Sequence, residues 1–218
     1  SFRVTSIQEG LAHPERVIGL HYFFHPAKNR LVEVIGGDHT QAKHVALAWR
    51  WMAAFGKTPI PSKDASGFVV NRFFVPWVNE AVRLLDEGFG TPGDIDRVAR
   101  EACGIGMGPF QLMNVTGVPI SMHAANTLGQ AFGPFYEPSP RLVAQVEAGL
   151  DWDLEDNGHE VDADAIANRL HAAACLAAGE LVDEGVGRPI DVEIGAHVGL
   201  RWPKGPFGIA AEQGLATA

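Results

Sequence analysis

Residues 70–110 recur in residues 167–207, at a shift of 97 positions and without a gap. Asn71-Arg72 falls on Asn168-Arg169, Asp86-Glu87-Gly88 on Asp183-Glu184-Gly185, Pro92 on Pro189 and Asp94 on Asp191. Gly108-Pro109-Phe110 falls on Gly205-Pro206-Phe207, and about a third of all the paired positions are identical. The agreement concentrates on residues that start, cap and stop helices. A chain that repeats such signals is constrained to build the same unit twice. That unit is a long helix, a capped short helix, and a helix opening at Gly-Pro-Phe. The two copies are expected to superimpose.

The helical reading extends beyond the repeat. Residues 68–88, FVVNRFFVPWVNEAVRLLDEG, form one amphipathic helix stopped at Gly88, with a kink expected at Pro76. Thr91, Pro92 and Asp94 read as N-cap, first-turn proline and capping box of a helix to about Ala102. Further helices are expected from Pro109, over 119–132, and from Ser139-Pro140 to Gly149. LDWDLEDNGHE, from Leu150, is polar and acidic and reads as a loop, after which Asp162 caps a helix to about Glu184.

Before residue 64 the pattern differs. VIGLHYFF (17–24) and LVEVI (31–35) are β-branched and aromatic and read as strands. TPIP (58–61) is a third strand, held to a sheet edge by Pro59 and Pro61. Between them, apolar residues at 42, 45, 46, 49, 52 and 53 give a helix that stops at Gly56.

With 218 residues, 46% of them hydrophobic, the chain can bury a real core as one large domain or two small ones. A net charge of −9 leaves no basic stripe for nucleic acid. Two distant cysteines, Cys103 and Cys175, give neither a disulfide framework nor a zinc pattern, so a reducing compartment, taken as the cytoplasm, is expected. No apolar run reaches transmembrane length. The start SFRVTSIQEG lacks a signal-peptide pattern and an initiator Met, which suggests a piece of a longer chain.

Two residues interrupt the strands: His21 heads an aromatic run and Glu33 sits inside LVEVI. An unpaired carboxylate in an apolar layer is costly to desolvate. If the strands are neighbours, a His–Glu pair explains both residues and makes His21 a general base with a stabilised imidazolium. Taken alone, His21 reads equally as a core histidine. His21 and His25 form HxxxH, but a zinc site of that spacing needs one helix face, and this segment is a strand followed by Pro26, so no metal is expected. GIGMG (104–108) follows a helix and reads as a turn into the Pro109 helix; no GxGxxG is present. Asn71 reads as a polar residue near a helix start, preceded by KDASGF, which has the look of a loop leading into a site. Its counterpart Asn168 has no second strand pair with His and Glu before it, so it is expected to be structural, as a hydrogen bond at a helix start.

ERVIGLHYFF, NRLVEVI, GKTPI, SGFVVNRFFVPWVNEAVRLLDEG, DIDRVA and GMGPFQLMNVTG, in that order, resemble the carboxyl part of the 3-hydroxyacyl-CoA dehydrogenases. The forms fused to an enoyl-CoA hydratase domain are most similar. The separations of His21 from Glu33 and from Asn71 match the family's catalytic His, its Glu partner and its active-site Asn. The resemblance implies the carboxyl end of a Rossmann-type NAD-binding domain over 1–63, and a helical substrate and dimerisation domain in two repeats, 64–150 and 151–218. It implies NAD-dependent oxidation of a (3S)-3-hydroxyacyl-CoA to the 3-oxoacyl-CoA in fatty-acid β-oxidation. His21 would take the hydroxyl proton, Glu33 would orient His21, and Asn71 would bond near the reacting oxygen or the thioester. NAD would be bound mainly by a glycine-rich half upstream of Ser1, so no cofactor-binding residue is assigned here. An acyl-CoA substrate, a homodimer, and a fused or associated enoyl-CoA hydratase follow as expected partners. Two readings stand beside it: a non-catalytic helical docking module, and a 3-hydroxyacid dehydrogenase, whose base is usually Lys. One motif departs from the family: H-F-F-N-P is here H-Y-F-F-H-P, with an added residue and the Asn replaced. Ser1 matches the residue after the family's catalytic serine.

Overall fold

A computed structural model describes residues 2–156, 158 and 160–214. Ser1 and two positions of the acidic loop, 157 and 159, lie outside the described residues. The elements in chain order are α1 (Val4–Gln8), β1 (Ile18–Tyr22), β2 (Leu31–Gly36), α2 (Ala42–Ala54), β3 (Thr58–Ser62) and α3 (Val70–Asp86). They continue with α4 (Pro92–Cys103), α5 (Pro109–Thr116), α6 (Val118–Phe132), α7 (Pro140–Ala148), α8 (Ala163–Asp183), α9 (Pro189–Ile194) and α10 (Pro206–Glu212). A Rossmann-like strand–helix–strand region is thus followed by helices. The chain stays helical across Pro76.

The chain forms two compact units, one of residues 1–70 with 178–218, the other of 71–177. In the first unit, β2 lies between β1, antiparallel to it, and β3, parallel to it. A parallel partner requires a crossover, and α2 supplies it. The middle strand reads as a continuous apolar run because both faces are covered: residues 31–35 are buried throughout. β3, with its two prolines, lies at the edge of this sheet.

The unit boundaries differ from the sequential division at 63 and 150. The carboxyl end of the second repeat packs with the sheet because its small residues allow close approach. A Cβ on Gly195 would meet Val70, and one on Gly199 would run into Leu31. The Gly199 carbonyl accepts a hydrogen bond from the Asn29 side chain at 2.8 Å, and Lys63 N–H donates to the Val186 carbonyl at 2.9 Å.

The second unit contains the first repeat. Thr91 and Asp94 form the expected capping box of α4, with Pro92 in its first turn. Ser139 caps α7, and Asp162 accepts from Ala165 N–H at the start of α8. Asp96, one turn into α4, turns its carboxylate onto the start of α5 and accepts from Phe110 N–H and Gln111 N–H, both at 2.8 Å. The second repeat reproduces the device. Asp191 accepts from Arg188 N–H at the start of α9, and Glu193 accepts from Phe207 N–H at 2.9 Å at the start of α10. A carboxylate there serves the orphan N–H groups and the positive end of the helix.

The copies diverge at Asn-Arg. Arg72 is buried, donates to the Tyr136 hydroxyl at 3.1 Å and stacks on Phe132. Its counterpart Arg169 pairs with Glu80 and Glu87. Asn71 is the second residue of α3, whereas Asn168 is an exposed residue in the second turn of α8, which begins earlier relative to the repeat. A helix-start role for Asn168 is therefore ruled out by the position of the helix.

Burial pushes the Asp96 carboxyl up to about 6, against the N–H groups of Phe110 and Gln111 and the charge of Arg100, which pull it down. An unfolded aspartate holds its proton only to about pH 4. Between these values the folded chain binds more protons, so the stability that Asp96 gives is present below the unfolded value and is lost as pH rises through about 6. The chain should lose ~1–3 kcal/mol relative to its Asp96→Asn variant between pH 4 and 7, read by urea unfolding of both. A rise in that difference would contradict the sign.

Candidate active site

His21 and Glu33 face each other across the antiparallel ladder as direct register partners. Residues so placed put their side chains on one face within reach. Their separation in sequence is thus a consequence of the β1–β2 connection. His21 Nδ1 lies 2.5 Å from Glu33 Oε2. The Glu33 side chain is fully buried, while that of His21 is 26% exposed. One end of the pair is locked in the protein and the other opens outward.

The second oxygen, Oε1, accepts from Val69 N–H and Val70 N–H, each at 2.9 Å. These are donors at the start of α3, where the helix leaves N–H groups unsatisfied and favours negative charge. Among the described residues the partners of Glu33 are therefore His21, Val69 and Val70. A carboxylate held this way only accepts, so Nδ1 carries the proton and Nε2 keeps its lone pair. Phe23 meets the imidazole edge-on at a centroid distance of 4.8 Å, and Phe68 lies tilted at 5.5 Å. The result is an oriented, partly exposed imidazole held against two aromatic rings.

Other residues hold the segments that carry this pair. Asp64 is buried and accepts from Val4 N–H, Thr5 N–H and the Thr5 hydroxyl at 2.6–2.7 Å, which ties the start of α1 to the loop before α3. Asn29 is buried too: its amide donates to the carbonyls of Gly199 and Phe24, and its oxygen accepts from Leu31 N–H. Lys57 Nζ donates to the carbonyls of Pro26 and Asn29. These bonds close the 23–30 connection that contains the unusual F-F-H-P.

Asn71 is half-buried and follows Val70 directly, so the hydrogen bonds from the chain to Glu33 end one residue before it. His25 is exposed beyond the end of β1. No group of three or more His, Cys, Asp or Glu that could hold a metal occurs among the described residues. The glycine pair after β2 is packed against protein, since a Cβ on Gly37 would run into Gln8 and Thr5. The two N–H donors on Glu33 and the restraints by Asp64 and Asn29 were not read from the sequence. Backbone donors carry no residue signature, though Asp64 in KDASGF was a readable buried acid.

Two family models match the chain: "3-hydroxyacyl-CoA dehydrogenase, NAD binding domain" over residues 1–65, and "3-hydroxyacyl-CoA dehydrogenase, C-terminal domain" over residues 67–151. The human mitochondrial hydroxyacyl-coenzyme A dehydrogenase is 34% identical over 154 residues, 68% of this chain and 49% of that protein. The chain thus spans about half the length of the curated relatives it matches. Among solved structures, 3-hydroxybutyryl-CoA dehydrogenase of Escherichia coli gives a TM-score of 0.86 at 22% identity, over 98% of this chain and 67% of that one. At that identity the likeness is one of fold. The (S)-3-hydroxybutyryl-CoA dehydrogenase of Ralstonia eutropha gives 0.66 at 32% identity, over 68% and 53%.

Removing the Glu33 carboxylate would strand two buried N–H groups and the imidazole. Glu33→Ala should destabilise the chain by roughly 3 kcal/mol in urea unfolding. A change below ~0.5 kcal/mol, the range of an ordinary surface substitution, would mean that the pair is not part of the core.

Proposed function

The chain belongs to the 3-hydroxyacyl-CoA dehydrogenase family, and from that premise we propose that it supplies the proton-transfer half of (3S)-3-hydroxyacyl-CoA oxidation. The product is the 3-oxoacyl-CoA, as in fatty-acid β-oxidation. The observation that carries this reading is the His21–Glu33 contact of 2.5 Å, with Glu33 anchored by two further N–H donors. A docking module has no use for a buried carboxylate aimed at a half-exposed imidazole.

In the proposed reaction His21 Nε2 accepts the proton of the substrate's 3-hydroxyl. Glu33 holds the imidazole in the reactive tautomer and offsets the positive charge that develops on it. NAD supplies the acceptor for the hydride that leaves C3. No contact to NAD is assigned to residues of this chain. Asn71, at the start of α3, is proposed to hydrogen-bond near the reacting oxygen or the thioester, on the strength of its match to the family motif. The reducing cytoplasm is proposed as the compartment on the sparse cysteine usage, and an associated enoyl-CoA hydratase on the likeness to fused forms. A homodimer through the helical part is proposed from exposed apolar residues such as Val115 on α5 and Ile120 on α6.

The test is NADH formation from a (3S)-3-hydroxyacyl-CoA by the enzyme that carries this sequence. His21→Gln should lower kcat by roughly two to four orders of magnitude. Asn71→Ala should lower activity more than stability, and Asn168→Ala, an exposed substitution, should leave both close to unchanged. A His21→Gln enzyme with native turnover would refute the assignment. Sedimentation at micromolar concentration should give a dimer, and a monomer there would remove the proposed interface.

A further inference from the structure

We propose that the Gly67-Phe68 turn is a positioning element for the His21–Glu33 pair. The inference deepens the proposed reaction and rests on His21 as its base. Gly67 and Phe68 both have left-handed backbones, with φ of +79° and +50°. Glycine adopts this conformation freely; a side chain as large as phenylalanine rarely does. The turn is closed by Phe68 N–H donating to the Ala65 carbonyl at 3.1 Å.

Two consequences follow from one residue. After the left-handed step the chain enters α3 with consecutive N–H groups, of Val69 and Val70, converging on Glu33 Oε1. The same step places the Phe68 ring against the imidazole of His21, which Phe23 also contacts. The backbone thus fixes the carboxylate while the ring restrains the base. Asparagine or glycine would take the backbone more readily but would supply no ring. Phe68 is also buried beside Val4 and Ile35, so a packing role alone would account for its burial, though not for its conformation.

The experiment reads the coupling within the pair on the folded chain without substrate, so it is independent of dehydrogenase activity. The His21 Nδ1–H proton is followed by NMR, and the coupling is the fold increase in its exchange with water on Glu33→Gln. In the native chain that increase should be ~10-fold or more, the scale of losing a hydrogen bond to a charged group. In Gly67→Ala, where the methyl strains the turn, and in Phe68→Leu, where the ring is lost, it should fall to less than half. Val4→Ala, which removes packing from the same cluster and keeps turn and ring, should leave it unchanged. In the native chain the amide signals of Val69 and Val70 should shift on Glu33→Gln. Coupling of native size in Gly67→Ala and Phe68→Leu would overturn the proposal, as would amides of Val69 and Val70 that ignore Glu33→Gln. The latter needs no substitution at the turn, so a variant that fails to fold does not remove the test. Loss of coupling in an enzyme without dehydrogenase activity would support the positioning role and separately remove the proposed function.

Discussion

A carboxylate in the middle strand of a sheet, with apolar residues on both sides along the chain, is the constraint that organises the first unit. Taking such a charge out of water costs several kcal/mol unless each oxygen finds donors. Glu33 has two oxygens and meets the demand from two directions. One oxygen takes the imidazole of the opposite strand, and the other takes the first N–H groups of α3. The first requirement pins the β1–β2 register, because a slip of one residue would turn His21 to the other face. The second fixes where α3 begins. The orientation of the His21 imidazole is therefore inseparable from the way the carboxylate is satisfied.

The same economy of means recurs in the helices, with a structural outcome. Asp96 and Glu193 stand at equivalent places in the two repeats, and each turns a carboxylate onto the N–H groups of the helix that opens at Gly-Pro-Phe. Both copies hold this device, while their Asn-Arg pairs differ. Arg72 is a buried stacking partner of Phe132, whereas Arg169 joins Glu80 and Glu87. The carboxyl end of the second copy, with glycines where it approaches Val70 and Leu31, covers the strands. The copies agree where the short helices start, and differ where the long helix begins and where side chains pack.

Much of this was legible in the sequence because it violated local expectation. A glutamate in LVEVI and a histidine at the head of an aromatic run are anomalies that a single contact explains. The capping box at Thr91 and the edge placement of the Pro59–Pro61 strand follow from local chemistry that tertiary packing leaves intact. The backbone donors on Glu33 were not legible, because an N–H group belongs to nearly every residue and only the turn aims it. The left-handed Phe68 was hidden since its residue type argues against that conformation. The role expected for Asn168 failed because matched residues do not guarantee matched helix starts: α8 begins at Ala163, well before the position that would put Asn168 in its first turn. The grouping of residues 178–218 with the sheet was missed because it depends on contacts between distant segments, which a pass along the chain does not weigh.

Chemical rescue tests the central claim, that His21 is the base and Glu33 its orienting partner, most directly. In the enzyme that carries this sequence, His21→Ala opens a space beside the carboxylate, and free imidazole is titrated into the oxidation of a (3S)-3-hydroxyacyl-CoA. The account predicts that turnover, nearly lost in the variant, rises with the concentration of neutral imidazole and that the rise disappears when Glu33 is also replaced by Gln. Turnover of His21→Ala at the native rate without imidazole, or a rescue that is indifferent to Glu33, would contradict it.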